Sequence, residues 1–153
     1  MIRVAIIGAG LSGLVLAHRL QAAAEVTVFE KSRGSGGRLS TRYAGDYEFD
    51  HGAQYFTART EAFRSFLQPL IEAGMIAQWR PAIAEFDRSK VTTVHDPDGA
   101  ETRYVGAPRM NRIGKALADE LILELETSIA RIERTDGGWF VIDDAGFNQW
   151  LEE

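Results

Sequence analysis

The apolar residues near the amino terminus predict a strand, a helix and a second strand in close succession. Residues 2–7 form a short β-branched run that ends at a glycine, which is typical of a strand buried on both faces at the centre of a parallel sheet. Residues 11–23 are good helix formers with apolar side chains on several faces, and residues 25–30 again favour a strand. We therefore expect a right-handed βαβ unit at the start of the chain.

A second helix is predicted over residues 61–73, where apolar residues recur every three or four positions, as on one face of a helix. Thr60 has the side chain of an N-cap, and Gly74 is a natural end for this helix. The apolar positions are Phe63, Phe66, Leu67, Leu70 and Ile71. Because Pro69 lacks the N–H that an interior turn needs, we expect a kink or a helix in two pieces near Gln68.

The remaining segments between turn residues favour strands. Gly45-Asp46 predicts a turn between two short extended pieces. Residues 77–86 predict a strand, and residues 90–105 predict a hairpin around the turn residues 96–99. A helix is expected at about 109–121, followed by a sheet strand at 122–126. A further hairpin is expected from strands at 128–134 and 139–144, joined by residues 135–138.

The order of these elements predicts the fold class and the domain organisation. A chain of 153 residues is about one domain's worth. An α/β start with antiparallel pieces inserted later indicates a Rossmann-like nucleotide-binding layer that carries an excursion. We therefore expect a single domain over residues 1–153.

Composition and charge narrow the class of protein. Hydrophobic residues make up 45% and charged residues 25%, as in ordinary soluble globular proteins. The formal net charge of −5 gives no broad basic surface for nucleic acid, so we expect no nucleic-acid partner. The chain has no cysteine, which excludes disulfides, thiolate metal ligands and a cysteine nucleophile, and suits the reducing cytoplasm.

The apolar amino terminus does not predict a membrane segment. Residues 3–26 imitate a signal peptide, but three glycines interrupt the apolar run, and His18 and Arg19 precede the supposed cleavage site. The run is also too short and too glycine-rich for a transmembrane helix. We therefore expect no membrane association.

Three glycines at the first strand-to-helix turn have the spacing of a dinucleotide fingerprint. Gly8 permits the tight turn, Gly10 removes a side chain from the path of a pyrophosphate, and Gly13 lets the helix pack closely on the strand. The helix N-terminus would present free N–H groups to phosphate oxygens. Glu30 ends the second predicted strand about twenty residues further on, where a carboxylate accepts hydrogen bonds from ribose and repels a 2′-phosphate.

A second segment rich in glycine and arginine, residues 33–42, follows this acid directly. Gly36-Gly37-Arg38 places a planar, permanently charged guanidinium beside flexible backbone, which suits a second contact with a pyrophosphate. A plain NAD-binding domain needs no such segment. The alternative is a solvated loop that carries Arg33, Arg38 and Arg42. These residues alone do not decide whether the cofactor is NAD or FAD.

Longer stretches of the sequence resemble the FAD-dependent amine oxidase superfamily, and most closely its renalase-like branch. The specific stretches are VFEKSRGSGGRLSTR (28–42) and FDHGAQYFTAR (49–59); AIIGAGLSGL (5–14) is shared more widely. YVGAPRMNRIGKAL (104–117) and LETSIARIERTDGGWFVIDDAG (125–146) extend the resemblance over nearly all of residues 2–146. The resemblance implies a GR2-type FAD/NAD(P)-binding fold in which residues 40–110 lead towards a substrate domain.

The resemblance also implies how FAD is bound. Gly8, Gly10, Ser12 and Gly13 would surround the pyrophosphate, Glu30 would bind the adenosine ribose, and Lys31 would lie beside it. Gly37, Arg38 and Leu39 would contact the phosphates and ribityl chain, Gly52, Ala53 and Gln54 would run along the isoalloxazine, and Ile129 would contact the adenine edge. Arg109 stands where the family has a small residue.

The activity implied is that of an oxidase, in which the flavin takes a hydride from a dihydronicotinamide isomer or an amine and passes electrons to O₂. No general acid or base is nominated: His51 is the best candidate, but a hydrogen-bonded loop histidine is the commoner case. His18 is expected to be structural and His95 to lie on the surface, and the three histidines show no metal-ligand spacing. Tyr55 is the aromatic residue with the best claim to a role outside the core.

Two other hypotheses stay open: a nucleotide-binding domain without catalytic activity, and an NAD(P)-dependent dehydrogenase. Members of the family continue for about as long again, and residues 147–153 do not follow their pattern. We therefore expect this chain to correspond to the amino-terminal half of the family fold, with the carboxy-terminal half absent.

Overall fold

The computed structural model describes residues 1–95, 101–146 and 148–152. Its helices are α1 Leu11–Leu20, α2 Glu61–Glu72 and α3 Asn111–Ala118. Its strands are β1 Ile2–Ile7, β2 Ala24–Phe29, β3 Thr41–Ala44, β4 Tyr47–Asp50, β5 Phe56–Thr57, β6 Ile76–Trp79, β7 Ile83–Asp87, β8 Lys90–His95, β9 Arg103–Gly106, β10 Ile122–Glu124, β11 Ile129–Thr135, β12 Gly138–Asp143 and β13 Asn148–Glu152. A short 3-10 turn spans Gly37–Leu39.

The predicted βαβ unit is confirmed. β1 and β2 pair in parallel from Ile2 with Ala24 to Ile7 with Phe29, and α1 connects them. β10 adds a third parallel strand on the other side of β2, giving the order β1-β2-β10. The prediction that β1 lies at the centre of this sheet is wrong: β2 is central, because β1 has a pairing partner on one side only among the described strands.

The three helices, the parallel sheet and the strands β6 and β9 all contribute buried side chains to the core. Leu14 of α1, Val28 of β2 and Met110 at the start of α3 are its largest fully buried side chains. His18 of α1 donates from Nε2 to the carbonyl oxygen of Leu117 at 2.6 Å, which ties α1 to α3. His18 therefore has the structural position expected for it. Helix α3 is shorter than the predicted span 109–121, and α1 ends before residue 23.

The first hairpin, β3–β4, has its turn at the predicted position. Thr41 pairs with Asp50 and Ala44 with Tyr47, while Gly45 in the turn has φ 59°, a value that favours glycine. The end of this hairpin that holds Thr41 and Asp50 lies against the start of α3. There the Asp50 carboxylate accepts hydrogen bonds from the Met110 N–H at 3.1 and 3.2 Å.

Helix α2 forms nearly as predicted, with one correction. Thr60 is the N-cap, and its hydroxyl accepts a hydrogen bond from the Phe63 N–H at 3.2 Å. The expectation of two pieces near Gln68 is wrong, because α2 is a single helix that contains Pro69. The helix continues past Pro69, with the Ala73 N–H donating to the Pro69 carbonyl at 3.0 Å, so the loss of one backbone donor does not end it.

The strands after α2 pair differently from the prediction. The expected strand 77–86 is interrupted at Arg80-Pro81 and forms β6 and β7. β7 pairs with β8 around Arg88, which has φ 55°, whereas β9 pairs with β6 and β5. The hairpin predicted across 96–99 is therefore wrong in its pairing, and its turn residues lie outside the described part of the chain. The reason is that a strong turn sequence does not by itself make the two strands that flank it pair with each other.

The carboxy-terminal strands form an antiparallel sheet in the order β11-β12-β13. β11 and β12 are the predicted hairpin, with the turn at Asp136-Gly137. β13 pairs with β12 from Glu152 opposite Gly138 to Asn148 opposite Ile142, a strand that the sequence did not predict.

Candidate functional site

The first glycine turn has a backbone that only glycine accommodates at two positions. Gly8 has φ 100°, in the region that side chains avoid. A Cβ at Gly13 would collide with the carbonyl oxygen of Gly8, so the closeness of helix and strand requires a glycine there. The Gly8 N–H donates to the Phe29 carbonyl at 2.7 Å and so joins the turn to the end of β2.

Helix α1 begins at this turn with an open N-terminus. Gly10 is the N-cap, no side chain of the described residues caps the helix, and its first turn holds no acidic residue. The first N–H groups of a helix have no intrahelical partner and carry a partial positive charge. The start of α1 therefore offers donors and positive potential to an anion.

The second glycine segment packs directly on the first. The Gly36 N–H donates to the Ala9 carbonyl at 2.7 Å, and Gly10 and Gly36 form an isolated parallel β-bridge. A Cβ at Gly37 would lie 3.1 Å from the Gly10 Cα. The solvated-loop alternative therefore does not describe Gly36, which is buried, whereas Gly34 and the side chains of Arg33, Arg38 and Arg42 are exposed as that alternative expects.

Helix α3 closes on the same segment from the other side. A Cβ at Gly114 would lie 2.5 Å from the Gly36 Cα, and the Ser35 hydroxyl donates to the Gly114 carbonyl at 3.3 Å. Gly114 is thus a structural part of the site that sequence reasoning missed. Its only sequence signal is a glycine in the interior of a predicted helix, which costs helix stability and implies close packing.

Glu30 follows β2 and is buried beside the first glycine turn. Its two carboxylate oxygens accept hydrogen bonds from the Ala9 N–H and the Ser32 N–H, both at 2.8 Å. Burial by itself would raise the pKa of Glu30, but the hydrogen bonds from Ser32 and Ala9 and the charge of Lys31 together hold that pKa below its ordinary value. Glu30 is therefore an ionised carboxylate at neutral pH.

The segment Gly52–Gln54 is attached to the second glycine segment. The Ala53 N–H donates to the Arg38 carbonyl at 2.8 Å, and a Cβ at Gly52 would collide with that same carbonyl. Asp50, just before it, is fixed by hydrogen bonds to α3 and by the Thr41 hydroxyl at 2.6 Å. The sequence indicated Gly52 but not the reason that it must be glycine.

The first glycine turn with the start of α1, the second glycine segment and the segment Gly52–Gln54 line one open groove of about 840 Å³. We call it the glycine groove. Of the residues predicted for cofactor binding, it is lined by Gly8, Gly10, Ser12, Gly13, Arg38, Leu39, Gly52 and Ala53. It is also lined by Ile7, Leu11, Gly36 and Phe56, of which only Gly36 had been associated with phosphate binding.

Five predicted residues lie outside the lining of the glycine groove. Gly37 borders it through Gly10, and Gln54 follows Ala53 with an exposed side chain. Lys31 is exposed beside Glu30. Ile129 begins β11 just after Thr127, whose N–H donates to the Glu30 carbonyl at 2.9 Å, so the predicted adenine side lies next to the predicted ribose side.

Two further residues singled out in the sequence occupy definite positions. His51 is exposed, with Nε2 at 3.5 Å from the Ser40 hydroxyl, which is longer than a good hydrogen bond. Arg109 forms an ion pair with Glu48, and its guanidinium carbon lies 5.5 Å from the centre of the Tyr43 ring. The Arg109 side chain therefore lies against the β3–β4 hairpin.

The residues present fit a dinucleotide. Gly10 lines the glycine groove with φ −73°, and a Cβ built on it meets no protein atom within 4 Å. Nothing within the protein therefore requires a glycine at position 10, whereas a ligand against the uncapped start of α1 would require one. Within the described ranges, no group of three or more His, Asp or Glu side chains is placed to hold a metal ion, and no helix is long and apolar enough to cross a membrane.

Comparison with known proteins agrees with this geometry. Residues 6–70 match the family model of the NAD(P)-binding Rossmann-like domain. Among solved structures, the chain is similar to the tetracycline destructase Tet(51), with a TM-score of 0.71 and 11% identity over 99% of this chain and 37% of that one. It is similar to FqzB, with a TM-score of 0.66 and 18% identity over 99% of this chain and 34% of that one.

A third similar structure is a protein from Photorhabdus luminescens subsp. laumondii TTO1 assigned as an FAD-containing monooxygenase. The TM-score is 0.64 and the identity 16%, over 99% of this chain and 38% of that one. The chain thus spans little more than a third of the length of these proteins. With its parallel β1-β2-β10 sheet, its glycine turn and the matched domain at residues 6–70, the chain has an FAD/NAD(P)-binding Rossmann-like fold with inserted antiparallel strands.

Proposed function

We propose that the glycine groove binds the pyrophosphate of FAD and that the chain is the cofactor-binding part of an FAD-dependent oxidoreductase. The observation that carries this proposal is the meeting of two glycine segments at the uncapped start of α1, with the exposed Arg38 at the edge of the same groove. A helix N-terminus and an arginine together supply both kinds of phosphate contact.

The cofactor would extend from Glu30 at one end towards Gln54 at the other. Glu30, with Ile129 nearby, suits the adenosine, because an ionised carboxylate accepts hydrogen bonds from ribose hydroxyls and repels a 2′-phosphate. Arg38 and Leu39 would contact the phosphates and the ribityl chain, and Gly52–Gln54 the flavin ring. Lys31 would lie beside the ribose.

When bound, the flavin would supply the redox chemistry, taking a hydride from an organic substrate and passing electrons to O₂. The resemblance to renalase-like oxidases supports a dihydronicotinamide isomer or an amine as substrate. The similarity to an FAD-containing monooxygenase supports O₂ as the electron acceptor. The absence of cysteine is consistent with our proposal of a cytoplasmic location.

The proposal is tested by titrating the purified chain with FAD and following flavin fluorescence. We expect Arg38→Ala to weaken FAD binding about tenfold, which corresponds to about 1.4 kcal/mol, because a charged contact with the pyrophosphate is lost. Arg42→Ala is the matched control: Arg42 is also exposed and lies on the neighbouring strand β3, away from the groove lining. Equal FAD affinity in the Arg38 variant and the wild type would refute the role of Arg38.

Two alternatives have distinct outcomes in the same titration. A domain that binds nucleotide without turnover would take up FAD but would not reduce it with dihydronicotinamide or amine substrates. An NAD(P)-dependent dehydrogenase would bind reduced nicotinamide dinucleotide and show no affinity for flavin.

A further inference from the structure

The small sheet formed by β5, β9 and β6 has one face in the core and one face that carries polar and aromatic side chains. Tyr104 of β9 lies between Phe56 and Gln78, and it is buried, with its ring centre 5.7 Å from that of Phe56. The next residue along β9, Arg103, lies between Thr57 and Trp79. Since successive side chains alternate between faces, Arg103 and Trp79 lie on the face opposite to the core.

Two aromatic rings and a guanidinium meet on this outer face. The ring centres of Tyr55 and Trp79 lie 5.9 Å apart at an angle of 49°, and the Arg103 guanidinium carbon lies 5.2 Å from the centre of the Tyr55 ring. Tyr55 is 45% exposed and Trp79 is 42% exposed. Large aromatic side chains grouped with this much free ring surface are typical of a binding surface rather than of a core.

The charges around these rings favour an anion. Arg59 lies two residues beyond Thr57, and its guanidinium donates to both carboxylate oxygens of Glu101, at 2.7 and 3.1 Å. The hydrogen bond from Arg59 holds the pKa of Glu101 below its ordinary value, so Glu101 is ionised and its charge is balanced by Arg59. Arg59, Glu101 and Arg103 together carry a net positive charge, and the charge of Arg103 also acts on the Glu101 carboxylate.

The aromatic cluster adjoins the glycine groove through the chain itself. Ala53 and Phe56 line the groove, and Tyr55 lies between them in sequence. Consecutive Cα atoms are about 3.8 Å apart, so the Tyr55 backbone lies close to the rim of the groove. The Tyr55 ring packs with Trp79 on the outer face, away from the Phe56 side chain that lines the groove.

We propose that Tyr55, Trp79 and Arg103 bind a planar unsaturated ring that carries an anionic group, either a carboxylate or a phosphate. The ring would stack on the exposed aromatic surface, and the guanidinium would pair with the anion in a planar fork. Because these rings lie on the face opposite to Phe56, which lines the glycine groove, this ligand site is separate from the proposed cofactor site. The ligand of this site would belong to an anionic aromatic class, whereas a cationic amine would be repelled by Arg103.

Binding to the purified chain is tested by calorimetric titration with 2-naphthoate, 2-naphthyl phosphate and the neutral 2-naphthamide, each with and without FAD. We expect the better of the two anions to bind at least about fivefold more tightly than the amide. Arg103→Met should weaken that anion about fivefold and leave the amide unchanged. Trp79→Leu should weaken all three probes, and thermal melting shows whether each variant is folded.

The matched control is Arg134→Met, since the Arg134 guanidinium carbon lies 5.7 Å from the centre of the Trp139 ring in a pair of the same kind on the β11–β12 hairpin. Equal affinity for anions and amide, no binding of any probe, or equal losses in the Arg103 and Arg134 variants would overturn the inference. The tighter of the two anions identifies the anionic group. If the anions bind as expected to a chain that takes up no FAD, the ligand site stands and the proposed cofactor fails.

Discussion

Gly10 and Gly13 belong to the same fingerprint but are glycines for different physical reasons. A side chain at Gly13 would collide with the Gly8 carbonyl, so this glycine is required by the packing of helix on strand. A side chain at Gly10 would meet open space in the glycine groove, and the Gly10 backbone suits any residue. One glycine therefore serves the fold, and the other leaves room for a ligand.

This difference predicts opposite behaviour of two alanine variants. Gly10→Ala should keep its stability within about 1 kcal/mol, because only an N-cap preference changes, and should weaken FAD binding about tenfold or more. Gly13→Ala should lose about 1–3 kcal/mol of stability through overpacking. Urea unfolding and FAD titration measure the two quantities.

The control for Gly10→Ala is Gly34→Ala, at an exposed loop position where a Cβ also meets no protein atom within 4 Å. Gly34 does not line the groove, so its variant should bind FAD as the wild type does. Unchanged FAD affinity in Gly10→Ala would show that the pyrophosphate does not pass over this residue.

Glu30 couples the site to the stability of the fold. Its carboxylate satisfies the N–H of Ala9, a residue with no exposed surface, as well as that of Ser32. The pKa of Glu30 is lowered in the folded protein, so its contribution to stability is complete above the unfolded value, about 4.3. That contribution is lost as the pH falls through the lower, folded value.

We therefore expect Glu30→Gln to be destabilised by about 1–3 kcal/mol at pH 7, because the single amide oxygen is neutral and can replace the carboxylate for only one of the two N–H groups. The difference in unfolding free energy between wild type and variant should shrink below about pH 4.3. Denaturant unfolding at pH 7 and at pH 3.5 measures it. A difference that stays constant over this range would exclude the ionised carboxylate as the source of the stability.

At the scale of single residues, the sequence predicted what local spacing determines. The glycines of the first turn and Glu30 follow from their positions relative to two strands, and the structure brings them together. Gly114 and Phe56 could not be found in this way. Their places depend on which helix and which strand close on the groove, and that is decided by packing between distant parts of the chain.

At the scale of helices and strands, local sequence signals predicted where these elements form better than they predicted which strands pair. The Thr60 cap and its apolar stripe specified α2, and turn residues specified the hairpins β3–β4 and β11–β12. The predicted pairing of the strands from β6 to β9 was wrong. β9 does not pair with β8, which precedes it in the chain, but with β6 and β5. Strand propensity identifies an extended segment, but the partner is selected by burial of Tyr104 and Phe56 in the shared core.

Over the whole molecule, the described chain holds the parts that would contact the adenosine and pyrophosphate of a dinucleotide more completely than the parts that would enclose a flavin ring. The Ala9 N–H donates to the Glu30 carboxylate and the Ala9 carbonyl accepts from the Gly36 N–H, so Ala9 joins Glu30, the start of α1 and the Gly36–Leu39 segment. For the flavin ring, Gly52–Gln54 is the segment proposed to make contact. The similar solved structures are almost three times as long as this chain.

Binding affinity should therefore reside mainly in the nucleotide part of the cofactor. A ligand at one hundred times its dissociation constant adds about 2.7 kcal/mol to stability, which for a chain of this size raises the melting temperature by about 5–10 °C. We expect FAD and ADP to produce shifts of this order at one common concentration, because both carry adenosine and a pyrophosphate, whereas riboflavin at that concentration should produce almost none. Thermal melting with each ligand measures the shifts, and a tenfold loss of affinity in Gly10→Ala should reduce those of FAD and ADP together by about half. A riboflavin shift equal to that of FAD would instead place the main contacts at the flavin ring and would contradict the assignment of the glycine groove to the pyrophosphate.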